Sequence, residues 1–255
     1  MNPTSETSQQ WLIKKFGLLI FLVFLLGIML GIEYLLKPVV SRQIAIPIES
    51  KRAESSVEIV RGNHLKRQVI FTFDGGSGAQ STEKILITLR KYNVRGTFFL
   101  TGKFVEKYPD LVREIVAGGH EVFNHTYDHQ HLPLLSDREI ISELDQMERA
   151  LRRVGGVSSA PYFRAPYGDR DSRVLSIAFK AGYQSVYWGV DARDWMEDLG
   201  TTAEEVRTTI LSNIYPGAIF LLHLGDNISG QILDDVFLFI KSQGYDIVPL
   251  SKGVL

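Results

Sequence analysis

Five short segments of this chain carry side chains that could move protons or bind a metal ion. His125 and His129 stand four residues apart in His125-Thr126-Tyr127-Asp128-His129. On a turn of helix both imidazoles would point the same way and could share one divalent cation. Asp74 lies in Phe73-Asp74-Gly75-Gly76-Ser77, where glycines after a carboxylate let the backbone turn sharply and leave room for a substrate. Arg164 heads the stiff stretch Arg164-Ala165-Pro166-Tyr167-Gly168, and an arginine there could grip a carboxylate through two parallel hydrogen bonds. Asp194-Trp195 sets a carboxylate beside a large apolar wall. His223 ends the apolar run Phe220-Leu221-Leu222, and the polar groups around it suit it to proton transfer. A histidine pair for a metal, a carboxylate, a second histidine and an orienting acid are the parts needed for metal-assisted hydrolysis of an amide or ester. Taken singly, each has an ordinary reading: an exposed histidine pair, a turn aspartate, a surface salt bridge, a core histidine. His64, His120 and His131 stand outside the constellation and are given no role.

What joins these groups is where they fall. From Gln68 onward short apolar runs alternate with amphipathic stretches. Strands are predicted at Val69–Phe73, Thr97–Leu100, Glu121–Asn124, Tyr162–Phe163, Gln184–Val190, Ile219–Leu222 and Asp246–Val248. Helices are predicted over Ser81–Tyr92, Pro109–Ala117, Asp137–Val154, Ser172–Ala181, Thr202–Asn213 and Ile232–Ser242. Ser136 with Glu139 and Thr202 with Glu205 read as capping boxes. Seven strands alternating with about six helices predict an α/β fold with a parallel sheet, as a barrel or an open doubly wound sheet. In either, the C-terminal ends of the strands share one face, and sites form there. Asp74, His125, Arg164, Asp194 and His223 each follow a predicted strand, so five of seven strands deliver a charged or titratable group to that face.

The chain has 255 residues, room for one large domain or two small ones. Its 28 basic and 29 acidic residues leave a net charge of −1, without the basic excess of a nucleic-acid binder. It has no cysteine, which excludes disulfides, thiolate metal sites and cysteine nucleophiles. Phe16–Ile32 is apolar and uncharged, Lys14 and Lys15 precede it, and Tyr34–Leu36 extend it past Glu33. That tract is long enough to cross a bilayer, and no small-x-small cleavage site follows. The expected organisation is a short cytoplasmic tail over 1–15, an uncleaved transmembrane signal-anchor over 16–36, a stalk over 37–66 and an extracytoplasmic domain over 67–255, with a cleaved signal peptide as the alternative.

In order, Thr72-Phe73-Asp74-Gly75-Gly76, His125-Thr126-x-x-His129, Arg164-Ala165-Pro166-Tyr167-Gly168, Asp191-x-x-Asp194-Trp195 and Leu221-Leu222-His223 resemble the five motifs of the polysaccharide deacetylases, the NodB homology domain of carbohydrate esterase family 4. The resemblance covers about residues 67–250. It implies a distorted (β/α)7 barrel of parallel strands. It implies that Asp74 is the catalytic base, Arg164 orients it, His223 is the general acid and Asp194 tunes His223. It gives His125 and His129 to a divalent metal, usually zinc. It places the backbone around Tyr167 at the oxyanion, and Trp195 and Leu221 along the acetyl pocket. Where the family has a second aspartate as third metal ligand, this sequence has Gly75. The expected site therefore holds two histidines with waters, or with Asp74 or Asp128 as a substitute, and binds metal more weakly. The implied activity is removal of N-acetyl groups, or alternatively O-acetyl groups, from an envelope polysaccharide such as peptidoglycan or poly-N-acetylglucosamine. A glycan-binding relative without turnover and a hydrolase of non-sugar amides are the competing readings.

Overall fold

The computed structural model describes residues 58–255. The expected tail, the apolar tract over 16–36 and the first part of the expected stalk lie outside the described residues. Among the described residues no helix is long and apolar enough to cross a membrane.

Eight strands form one sheet in which every pairing is parallel. They are β1 (Gln68–Gly75), β2 (Thr97–Leu100), β3 (Glu121–Asn124), β4 (Tyr162–Phe163), β5 (Gln184–Ser185), β6 (Val190–Asp191), β7 (Ala218–His223) and β8 (Asp246–Ile247). The helices between them are α1 (Thr82–Lys91), α2 (Gly102–Lys107), α3 (Pro109–Ala117), α4 (Asp137–Gly155), α5 (Ser172–Lys180), α6 (Ala203–Ser212), α7 (Ile228–Ser242) and α8 (Leu250–Gly253). Both predicted capping boxes form, at Ser136 and Thr202, and α4 stops at Gly156 with φ 70°, the left-handed conformation that glycine adopts without a Cβ penalty.

The strand order is β5-β4-β3-β2-β1-β7-β6, with β8 paired to the start of β1. Two expectations change here. The strand predicted over Gln184–Val190 is two strands, because the run breaks at Tyr187-Trp188-Gly189. These two pieces, β5 and β6, lie at opposite edges of the sheet. Only four residues separate them, and an extended chain spans at most about 3.6 Å per residue, so the edges come within roughly 18 Å. The sheet is therefore strongly curled, but β5 and β6 do not pair, and the expected seven-strand barrel is an open half-barrel of eight strands. The second change is the stalk. Ile59 forms a parallel bridge with Val186 along the β5 edge, and Gly62 and Asn63 donate backbone hydrogen bonds to Gly217 and Gly253. Residues 58–66, expected as stalk, are hydrogen-bonded into the domain.

Alternation along β1 divides its side chains between two environments. Val69, Phe71 and Phe73 face the helices and join Phe98, Phe220 and Phe237 in the main core. Ile70 faces inward with Phe99, Phe123, Val186 and Ile219. Thr72 and Asp74 continue this inner row, so the strand carries one polar pair above an apolar floor toward its C-terminal end.

Candidate active site

The five predicted groups converge at the C-terminal ends of the strands. In the parallel register of β1 with β7, Asp74 is the Cα partner of His223 and Thr72 that of Leu221. Leu221 is buried two residues before His223, on the same strand face.

Arg164 organises one half of the site. It leaves the end of β4 and its side chain is fully buried. Its Nη1 donates to Asp74 Oδ1 at 2.6 Å and to Thr72 Oγ1 at 2.9 Å, and its Nε donates to the Val186 carbonyl at 3.2 Å. The guanidinium lies over the Phe99 ring, 4.2 Å from its centroid. Burial works to lower the Arg164 pKa, and the Asp74 charge opposes it. The expected two-bond grip is in fact a single bond to Asp74, because the other donors hold Thr72 and backbone carbonyls. Thr72 joins this network, a role that the sequence does not predict. Its hydroxyl donates to the Phe220 carbonyl at 2.7 Å while accepting from Arg164.

The histidine pair is not helical. Thr126 and His129 both adopt positive φ, 66° and 60°, so the segment is a tight irregular turn. The two rings nevertheless meet, with centroids 4.9 Å apart. Two buried side chains make that turn possible, and neither was found from the sequence. Asn124 accepts from the Thr126 N–H at 2.9 Å. Glu143, 5% exposed in α4, accepts from the N–H groups of Tyr127 and Asp128 at 2.9 and 2.8 Å. A buried glutamate on an otherwise apolar helix face was the available signal for the second.

His125 Nδ1 lies 2.9 Å from the Arg164 carbonyl, which only an N–H can satisfy. In the neutral ring Nε2 is then the bare nitrogen, and it faces Asp74 Oδ2 at 3.5 Å. Burial pushes the His125 pKa down. Burial and the neighbouring His125 lower that of His129 to about 3. Both rings are neutral imidazoles at ordinary pH, the form that ligates metals. Among the described residues a third donor is missing. Gly75 supplies none, and a Cβ there would sit 2.6 Å from Leu100 Cδ2, 3.0 Å from Leu224 Cδ1 and 3.3 Å from Phe104 Cδ2. The position points into apolar packing. Among the described residues no group of three His, Cys, Asp or Glu is placed to hold a metal ion. The zinc expected from the sequence thus finds two imidazoles of the right chemistry but not the three protein ligands that a catalytic zinc site takes.

The second half of the site is a histidine–aspartate pair. Asp194 is fully buried and its Oδ1 lies 2.8 Å from His223 Nδ1. The same carboxylate accepts from the His223 N–H at 2.6 Å, the Trp195 N–H at 3.0 Å and Ser229 Oγ at 2.5 Å. Burial opposes the charged form of Asp194, yet these bonds and the His223 charge hold its pKa below the usual value. Burial also opposes the imidazolium of His223, but the bond to Asp194 and the charges of Asp194, Asp74 and Asp191 raise its pKa to about 9. His223 is therefore cationic at neutral pH, with Nδ1 committed to Asp194 and Nε2 left to donate.

Two exposed aromatics flank these groups. Tyr167 is 61% exposed, and its ring lies 4.4 Å from that of His129 and 4.2 Å from that of His131. Its φ of 58° is strained for a non-glycine residue, and strain of this kind collects at functional sites. Trp195 is 52% exposed, and its Nε1 donates to Asp191 Oδ2 at 3.4 Å.

The polysaccharide deacetylase family profile matches residues 61–186. A peptidoglycan-N-acetylglucosamine deacetylase of Bacillus cereus is 35% identical over 196 residues, covering 75% of this chain and 70% of that protein. The chain belongs to the polysaccharide deacetylase family. It is a hydrolase of the polysaccharide deacetylase type, a class that acts on carbon–nitrogen amide bonds. The peptidoglycan-N-acetylmuramic acid deacetylase PdaA of Bacillus subtilis is 33% identical, covering 72% of this chain and 70% of that protein. The solved structure of B. subtilis PdaA, a family 4 carbohydrate esterase, superposes with a TM-score of 0.75 at 31% identity, over 78% of this chain and 86% of that one. A family 4 pseudoenzyme from Bacillus anthracis superposes with a TM-score of 0.74 at 28% identity, over 79% of this chain and 70% of that one.

Proposed function

We propose that this polysaccharide deacetylase removes N-acetyl groups from peptidoglycan, working outside the membrane to which the apolar tract over residues 16–36 anchors it. The observation that carries the chemistry is the pairing of Asp74 with His223 across β1 and β7, each with its own buried partner. Asp74, gripped by Arg164, takes the proton of the water that attacks the acetyl carbonyl carbon. The carbon becomes tetrahedral and its oxygen negative, and backbone N–H groups around Tyr167 hold that charge. The carbon–nitrogen bond then breaks as the His223 imidazolium gives the nitrogen its proton. The products are acetate and the free amine. Asp194 keeps the His223 ring in place and balances its charge throughout. Trp195 and Leu221 wall the acetyl group. No step is assigned to a metal, because among the described residues no group of three His, Cys, Asp or Glu is placed to hold one. The two peptidoglycan deacetylases it resembles, named for glucosamine and muramic acid, support the choice of polymer.

Acetate release from intact peptidoglycan by the purified full chain tests this reading, with chitooligosaccharide as the comparison and with chelator or added zinc as further arms. Release from peptidoglycan is expected. A folded protein that releases no acetate from either substrate would favour the second reading, a glycan-binding relative. Gly75 and the likeness to a pseudoenzyme are what favour it.

A further inference from the structure

Asp226 follows β7 three residues after His223 and is 5% exposed. Its Oδ1 accepts from the Ser229 N–H at 2.6 Å, in the first turn of α7, and its carbonyl accepts from Ser81 Oγ at 2.6 Å. Helix capping accounts for Oδ1 and for nothing else. Oδ2 is buried without a hydrogen-bond partner, and among the described residues no lysine or arginine pairs with this carboxyl. What lies beside it is Asp194: Ser229 donates its N–H to Asp226 Oδ1 at 2.6 Å and its hydroxyl to Asp194 Oδ2 at 2.5 Å.

Two ionised carboxylates side by side would repel and could only accept. One proton between them removes the conflict, and the donors decide which carboxyl keeps it. Asp194 already receives bonds from His223 Nδ1, the His223 and Trp195 N–H groups and Ser229 Oγ. Asp226 receives one. The charge belongs on Asp194 and the proton on Asp226.

We propose that Asp226 is a positioning residue for the His223–Asp194 pair: it stays protonated and donates Oδ2–H to Asp194, holding that carboxylate in line with His223 Nδ1. Burial and the Asp194 charge raise the Asp226 pKa to about 7, in keeping with a neutral carboxyl below neutrality. Ser229 ties the two together, donating its N–H to Asp226 and its hydroxyl to Asp194. The catalytic meaning of this bond rests on the deacetylase reading above, but the bond itself does not.

The test uses the full chain in detergent, labelled with ¹³C at the aspartate carboxyls. Near pH 6 the wild type should show a protonated aspartic acid signal that disappears in Asp226→Asn. The asparagine keeps the shape, an N–H donor for Asp194 and an acceptor for Ser229, so kcat should stay within about twofold of wild type. Asp226→Ala removes the donor to a charged group and should lower kcat by about tenfold or more with KM unchanged. Absence of a neutral aspartate signal would overturn the proposal whatever the turnover. So would an asparagine variant as impaired as the alanine one. A neutral signal in a protein that releases no acetate would defeat the deacetylase reading and leave the Asp226–Asp194 bond standing.

Discussion

Asp74 and His223 are partners in the parallel register of β1 and β7, so their side chains leave one face of the sheet side by side. Each is held from the opposite flank, Asp74 by Arg164 at 2.6 Å and His223 by Asp194 at 2.8 Å. A carboxylate and a histidine are thus fixed side by side on adjacent strands by backbone pairing.

The His223–Asp194 pair sets a pH window. The folded pKa of His223 is raised from 6.5 to about 9, so its contribution to stability is fully present below 6.5 and is lost as pH rises through about 9. Asp194 is lowered from 3.8, so its contribution is present above that value and is lost as pH falls below it. The acid form of His223 should likewise disappear above about 9, giving kcat/KM a falling alkaline limb there. Asp194→Asn should move that limb down toward the ordinary histidine range. A limb that stays in place in Asp194→Asn would separate the two residues.

Glu143 is predicted to hold the histidine turn. Glu143→Ala leaves the Tyr127 and Asp128 N–H groups without their acceptor, at roughly 1–3 kcal/mol for each group that stays buried. Denaturant unfolding should show this loss, and Glu143→Gln, which keeps one carbonyl oxygen, should lose less. Equal stability of the alanine variant would show that the turn stands without Glu143.

Position 75 is packed against restoring a third ligand. Gly75→Asp puts a Cβ 2.6 Å from Leu100 Cδ2 and aims a carboxylate at Leu100, Phe104 and Leu224. Overpacking alone costs roughly 1–3 kcal/mol. The variant should melt at a lower temperature and retain no more zinc on dialysis than the wild type. Undiminished stability with one tightly bound zinc would contradict the packing argument.

Much of this was legible in the sequence, for physical reasons that differ by element. β2, α3, β3 and β4 begin and end where apolar runs and glycine, proline or polar stops predicted. The capping boxes at Ser136 and Thr202 are local hydrogen-bond chemistry and form as read. The strand predicted over Gln184–Val190 divides into β5 and β6, because an apolar run does not tell which edge of a sheet it joins. The shape of the His125–His129 turn is not legible locally because it is imposed from outside, by Asn124 and by Glu143, a residue fourteen positions beyond His129. Asp226 and Ser229 are not legible as site residues because their spacing reads as an ordinary helix cap, and only the fold brings Asp194 to Ser229.

The central claim is that Asp74 and His223 carry the proton transfers, and the direct test is acetate release by Asp74→Asn and His223→Ala beside the wild type, with folding checked by circular dichroism. General acid and base groups supply about 10²- to 10⁴-fold each, so both variants should fall at least about a hundredfold while remaining folded. Wild-type rates in both would contradict the account and place the chemistry on other residues.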